Sequence, residues 1–178
     1  MSKDKDNNGN GSSTSGGDLP VKPDPTKSGG RGREGIGNIY CLLVGINNYA
    51  DSCFGPLEGC VTDVNSIERF LKENHFLFKV NGAGKEQTIK EDKRSLTYQS
   101  YEIPRDDYGQ LNICKLTNNL ATRQGVIDGF ELFLTQAKSD DSIWFHFSGH
   151  GTEIPTAEEF THLDNGKDNC LICQDIKK

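Results

Sequence analysis

The chain has 178 residues, 33% hydrophobic content and a formal net charge of −6, which suits one globular domain and disfavours nucleic-acid binding, because that needs clustered Lys and Arg. No apolar run approaches the roughly 20 residues of a membrane span, and no secretory leader pattern is seen. We therefore expect a cytoplasmic protein with neither membrane nor nucleic acid as a partner.

The first 37 residues are rich in Gly, Ser, Asn and Asp and hold almost no apolar side chains. Such a segment cannot bury enough apolar surface to offset its conformational entropy. We expect a disordered tail over residues 1–37, followed by one folded domain over residues 38–178.

The folded part opens with a continuous apolar run, Ile39 to Ile46, which predicts a strand buried on both faces. A loop with Gly, Pro and Asp follows over residues 47–59. A helix is predicted over residues 60–74, because apolar side chains recur there at helical spacing at Val61, Val64, Ile67 and Leu71.

The middle of the chain, residues 79–109, is polar and has no clear period, so we expect an inserted surface loop of unusual length. A short strand is predicted over residues 111–116 and a helix over residues 122–138. A third apolar strand, residues 142–147, ends at the tetrapeptide 148–151, Ser-Gly-His-Gly.

This β-α-β-α-β alternation implies a parallel sheet with helices on its faces. In open α/β sheets, ligands and catalytic groups collect at the carboxyl ends of the strands. Two segments satisfy that condition: the loop that leads into Cys60 and Asp63, and the loop that holds His150.

His150 follows a buried strand and lies between two glycines, a setting that suits a general base but also a turn histidine with local hydrogen bonds. The backbone N–H of Gly151 could donate to a developing oxyanion. His146 falls on the strand itself, where we expect packing or hydrogen bonding. Asp63, in the first turn of its helix, could simply complement the helix dipole.

The six cysteines form no regular framework and are expected to be free thiols. The pair Cys170 and Cys173 has CxxC spacing but lacks the second ligand pair that a zinc site needs. Three carboxylates near the end could bind calcium or form a solvated acidic loop, which is the simpler interpretation: Asp164, Asp168 and Asp175.

Four motifs occur in order along this β-α-β-α-β frame: Leu43-Val44-Gly45-Ile46-Asn47-Asn48-Tyr49, Gly59-Cys60-Val61-Thr62-Asp63-Val64, Leu116-Thr117 with Ala121-Thr122-Arg123, and Phe147-Ser148-Gly149-His150-Gly151-Thr152. Together they resemble the metacaspases, which are caspase-like cysteine peptidases. The resemblance spans residues 39–175 and implies a three-layer α/β/α fold with a mostly parallel sheet, truncated at its C-terminal side.

The resemblance implies a role for each matching position. His150 would be the general base of a Cys-His dyad, and the N–H of Gly151 would form half of an oxyanion hole. Cys60, Asp63 and Ser148 match positions that line a pocket for Arg or Lys at P1. Protein or peptide substrates with a basic P1 residue are therefore expected, with calcium as a candidate cofactor and no other cofactor indicated.

The resemblance also bears on the nucleophile. Asp168 to Asp175 resembles the family segment D-E-x-x-x-P-x-D, with Asn169 in place of Glu and Cys173 in place of Pro, which argues against Cys170 as the nucleophile. The family's catalytic cysteine lies in a D-x-C-x-[SA]-G motif that this chain lacks. Two hypotheses follow: a cysteine endopeptidase whose nucleophile lies in further sequence, or a non-catalytic caspase-like module that binds or regulates.

Overall fold

The structure is a computed structural model that describes residues 37–73, 80, 82–104, 109–157 and 166–177. The predicted disordered tail lies outside these residues, apart from Gly37. No helix in the described ranges is long and apolar enough to cross a membrane.

A five-stranded sheet forms the centre of the fold. Its strands are β1 (Ile39–Gly45), β2 (Lys85–Glu91), β3 (Arg94–Glu102), β4 (Gln110–Thr117) and β5 (Ser142–Ser148), in the order β2-β3-β4-β1-β5. The strands β4, β1 and β5 run parallel, and Gly45 at the end of β1 lies opposite Thr117 and Ser148. The carboxyl ends of these three strands are therefore level with one another.

The central strand β1 separates two apolar cores, because successive side chains of a strand point to opposite faces. Cys41 and Leu43 pack on one face with residues of helix α1, which spans Cys60–Glu73. Leu42 and Val44 pack on the other face in a second core. The three layers and the parallel strands confirm the predicted α/β architecture, and the first strand and first helix are also confirmed.

The second helical segment confirms the helix predicted over residues 122–138, although its pitch changes along its length. It begins as α2 (Arg123–Asp128), widens to a π-helical turn (Gly129–Phe133) and ends as a 3-10 turn (Leu134–Gln136). The hydroxyl of Thr122 caps it by accepting a hydrogen bond from the N–H of Gly125 at 3.0 Å.

The prediction of an inserted surface loop over residues 79–109 was wrong, because the described part of this segment contains two strands. Strands β2 and β3 lie within it as an antiparallel hairpin, and β3 extends the central sheet by pairing with β4. The hairpin turn uses Asp92, at φ 53°, and Lys93 instead of an Asn-Gly or Asp-Gly turn. Charged side chains along β2 also conceal the alternation, and only Ile89 of that strand is even half-buried.

A second, two-stranded sheet was not predicted. Strands β6 (Gly151–Pro155) and β7 (Lys167–Leu171) pair antiparallel, so Asp168 belongs to a strand and not to the expected acidic loop. The N–H of Ile172 donates to the carbonyl of His150 at 3.1 Å. This hairpin therefore starts and ends beside His150.

The two buried thiols of Cys41 and Cys114 should make the stability of the protein depend on pH. Burial raises the pKa of Cys41 and of Cys114 to about 12. Above about pH 9 the unfolded chain loses thiol protons that the folded protein keeps, so the free energy of unfolding falls, by up to about 1.4 kcal/mol per pH unit for each thiol. Urea unfolding between pH 8 and 11, with reductant, should show a flatter decline for the double variant Cys41→Ala/Cys114→Ala.

The matched control is Val44→Ala, which opens a cavity in the second core, where Cys114 also lies, without removing a thiol. It should lower the free energy of unfolding at every pH and leave the slope unchanged. Equal slopes for the double variant and the wild type would contradict the assignment.

Candidate active site

The candidate site lies at the edge where β4, β1 and β5 end, and asparagine side chains connect its parts. Asn118 follows β4 with φ 45°, a left-handed conformation that Asn tolerates. Its Oδ1 accepts hydrogen bonds from the N–H groups of Asn47 (2.9 Å) and Asn48 (3.3 Å). Asn47 Oδ1 in turn accepts from the N–H of Val61 in the first turn of α1 at 3.1 Å.

His150 follows β5 and packs against two aromatic rings from the loop after β1. Its ring centroid lies 5.0 Å from that of Tyr49 and 6.1 Å from that of Phe54. Its Nε2 lies 2.9 Å from the carbonyl oxygen of Gly55. Because a carbonyl only accepts hydrogen bonds, Nε2 carries the proton in this contact, and the neutral ring keeps its lone pair on Nδ1.

Tyr49 also contacts the backbone of His150. The N–H of His150 donates to the Tyr49 hydroxyl at 2.6 Å. Burial is the main cause that raises the pKa of Tyr49; the hydrogen bond from His150 lowers it, and the nearby thiols of Cys60 and Cys173 raise it further. The hydroxyl is therefore protonated at neutral pH, and it accepts a hydrogen bond while retaining its own proton.

Two of the three predicted pocket residues meet in the structure. The hydroxyl of Ser148, the last residue of β5, donates to Asp63 Oδ2 at 2.8 Å, although 85 positions separate the residues. The side chain of Asp63 is exposed at the start of α1. Cys60 begins that helix but is buried, with 8% of its surface exposed.

The two glycines around His150 differ in their surroundings. A Cβ on Gly149 would lie 2.7 Å from the Tyr49 hydroxyl and 3.0 Å from the ring of Phe147, so only glycine permits this approach. Gly151 is the exposed first residue of β6.

All six cysteines are free thiols. The pKa is raised for four of them, by burial first at Cys41, Cys114 and Cys173, and by a hydrogen bond with Asp51 first at Cys53. Within the described ranges, the His150 ring makes its hydrogen bond to Gly55, and none joins it to a thiol. The raised pKa of these four thiols is the opposite of the shift in an activated thiol, whose pKa is lowered by its surroundings.

In the part of the chain that the structure describes, no group of three or more His, Cys, Asp or Glu side chains could hold a metal ion. Asp168 accepts a hydrogen bond from Thr156, and Asp175 accepts one from the N–H of Arg123. Asp164 lies outside the described residues. Binding of calcium stays a prediction.

The Nε2 atom of His146 is buried and has no hydrogen-bond partner among the residues described. Of the two roles expected for this side chain, packing is the one that this nitrogen supports.

Sequence reasoning did not assign roles to Tyr49, Phe54, Gly55 or Asn118. Tyr49 stands in one of the quoted motifs, which was a usable signal. Asn118 lies between two quoted motif pieces, and an asparagine directly after a buried strand is a weaker signal. Gly55 acts through its carbonyl oxygen, which every residue type possesses, so no residue pattern could have identified it.

Comparisons with known proteins bear on the family. The family model for the metacaspase, peptidase C14 domain matches residues 40–178. Metacaspase-1 of Meyerozyma guilliermondii is 28% identical over 65% of the chain, Metacaspase-1 of Candida albicans 26% over 79%, and Metacaspase-1B of Neurospora crassa 31% over 65%. These alignments cover 22%, 26% and 21% of the three relatives, so the chain spans about a quarter of their length. No solved structure is significantly similar to the chain.

The approach of α1 to β1 at Gly45 predicts the effect of one added methyl group. A Cβ there would lie 2.8 Å from the carbonyl oxygen of Cys60 and 2.8 Å from Val64 Cγ2. Gly45→Ala should therefore lower the free energy of unfolding by about 1–3 kcal/mol, as overpacking does. Gly55→Ala is the control, because a Cβ there meets nothing within 4 Å. Similar urea midpoints for the two variants would contradict this packing.

Proposed function

The chain belongs to the metacaspase family, peptidase C14, and from that premise we propose that it is the histidine-bearing part of a cysteine-type endopeptidase. The observation that carries the proposal is the hydrogen bond between His150 Nε2 and the carbonyl of Gly55. It leaves Nδ1 as the basic nitrogen of a half-buried imidazole at the carboxyl edge of the sheet, where catalytic groups of α/β folds collect.

In the proposed reaction, His150 Nδ1 takes the proton of a cysteine thiol, and the thiolate attacks the carbonyl carbon of the scissile peptide. The oxyanion that forms would accept a hydrogen bond from the N–H of Gly151. The imidazolium then gives its proton to the leaving amine, and water hydrolyses the thioester. Gly55 has a supporting role here, because it fixes the tautomer that this sequence of proton transfers requires.

We assign the nucleophile to none of the six cysteines. The raised pKa of Cys41, Cys53, Cys114 and Cys173 supports this assignment, because an activated thiol has the opposite shift. The assignment is also supported by the position of β5, which is the outermost strand on one side of the described sheet. A further strand with the D-x-C-x-[SA]-G motif, paired to β5, would bring a thiol next to His150 and would cover exposed apolar side chains at Ile143, Trp144 and Phe145.

For substrate choice, we propose that Asp63 pairs with Arg or Lys at P1. The Asp63 carboxylate is exposed at the same sheet edge as His150 and is oriented by the hydroxyl of Ser148. A carboxylate held in this way gains a charge-assisted hydrogen bond from a cationic side chain. Cys60, one turn earlier on α1, would form part of the pocket wall. Protein or peptide substrates with a basic P1 residue follow from this assignment.

The first test uses the chain as it stands, Met1 to Lys178. It should show no turnover of Arg or Lys peptide substrates, with or without calcium, because it contains no thiol that the base can activate. Cys60→Ala and Cys170→Ala are assayed in parallel. Turnover that either substitution abolishes would show that the nucleophile has been wrongly assigned.

The second test uses a longer protein in which this chain is followed by the D-x-C-x-[SA]-G segment. Asp63→Ala should lower kcat/KM for an Arg substrate about 10- to 100-fold, the value of a lost hydrogen bond to a charged group. Glu58→Ala is the matched control, because it removes the same charge from an exposed position on the preceding loop. Equal kcat/KM for the two variants, or equal cleavage after Asp and Arg, would refute the pocket. A longer protein without any peptidase activity would favour the non-catalytic module.

A further inference from the structure

We propose that Tyr49 is a positioning residue for His150, and that Asn118 holds Tyr49 in place for that role. The catalytic meaning of this inference rests on the proposed function, since it concerns the base of that reaction. Its geometry concerns only residues of this chain, so it can be tested without a nucleophile or a substrate.

Three contacts hold His150 in place. Tyr49 supplies two of them: its hydroxyl accepts from the N–H of His150 at 2.6 Å, and its ring packs on the imidazole at 5.0 Å between centroids. Gly55 supplies the third through its carbonyl oxygen, 2.9 Å from Nε2. Backbone, ring face and ring nitrogen are therefore each held by the same loop, residues 46–59.

The Tyr49 hydroxyl is needed because of where His150 lies in the chain. His150 lies in the break between β5 and β6, where its N–H is outside both strand ladders. A backbone N–H that is taken out of water without gaining an acceptor destabilises the fold. Tyr49 supplies that acceptor, and Gly149 allows it to come close, because a Cβ on Gly149 would lie 2.7 Å from the hydroxyl.

Hydrogen bonds made by the neighbouring residues hold Tyr49 in place. The two residues before it donate their N–H groups to Asn118 Oδ1. The residue after it, Ala50, donates its N–H to the carbonyl of Gln174 at 2.8 Å. The backbone on both sides of Tyr49 is thus held, by the residue after β4 and by the segment after β7, which limits where the phenol can lie. A base needs to be held in its productive geometry by its surroundings, and the phenol does this for the imidazole through the two contacts above.

The experiment is NMR on the ¹⁵N-labelled chain at pH 8.5, where an ordinary imidazole is neutral. In the wild type, the ring nitrogens of His150 should show one tautomer, with the proton on Nε2. In Tyr49→Phe, which keeps the ring and removes the hydroxyl, the two ¹⁵N shifts should move towards each other, as in a free imidazole that mixes both tautomers. Hydrogen exchange at the His150 amide should become about five- to tenfold faster, as the loss of one hydrogen bond implies.

Tyr98→Phe is the matched control. Tyr98 lies on β3 and packs against Phe133, so this variant should leave both His150 signals unchanged. Tyr49→Phe with wild-type ring shifts and a wild-type exchange rate would overturn the proposal. The same result in Tyr98→Phe as in Tyr49→Phe would also overturn it, because a general loosening of the fold would then explain the change.

Asn118→Gly tests the second half of the proposal. Glycine keeps the left-handed backbone conformation but removes the amide that binds the loop, so the His150 ring shifts should move in the same direction as in Tyr49→Phe. Unchanged shifts would refute the role of Asn118. An inactive longer protein would refute the proposed function and leave these NMR results standing, whereas unchanged NMR signals in an active one would refute only the role of Tyr49 and Asn118.

Discussion

The candidate site depends on one constraint, the matched register of β4, β1 and β5. Gly45, Thr117 and Ser148 lie side by side at the ends of these strands. Because parallel strands pair in one direction, all three loops leave the sheet at the same edge. The burial of β1 between two helical layers fixes this register, since a slip of one residue would turn every core side chain to the wrong face.

Beyond the strand ends, the backbone has no ladder to satisfy its N–H groups, and polar side chains replace it. The amide oxygens of Asn118 and Asn47 and the hydroxyl of Tyr49 each accept from backbone N–H groups of another segment. Buried donors need such partners. The same hydrogen bonds that complete the fold at this edge therefore join the loop after β1 to β4, to α1 and to His150, so local stability and site geometry have a common origin.

The outermost strands on the two sides of the described sheet, β2 and β5, differ in physical character. Strand β2 carries exposed charges, among them Lys85, Glu86, Lys90 and Glu91, which oppose pairing with another strand. Strand β5, on the opposite side of the sheet, exposes 58% of the surface of Ile143 and 42% of that of Trp144. Apolar groups and unpaired backbone together favour strand addition, so any strand that extends this sheet has a physical reason to join beside His150.

The sequence by itself determined the parallel core and the sheet edge that holds His150, Asp63 and Ser148, because apolar periodicity and the order of strands and helices are local properties. Only the tertiary structure decided the β2-β3 hairpin, which depends on pairing with β4, and the β6-β7 hairpin. It also decided the contacts of His150 with Tyr49, 101 positions away, and with the carbonyl of Gly55. Both contacts depend on where distant loops meet, and the contact with Gly55 uses a backbone atom that every residue type has, so no residue pattern could identify it.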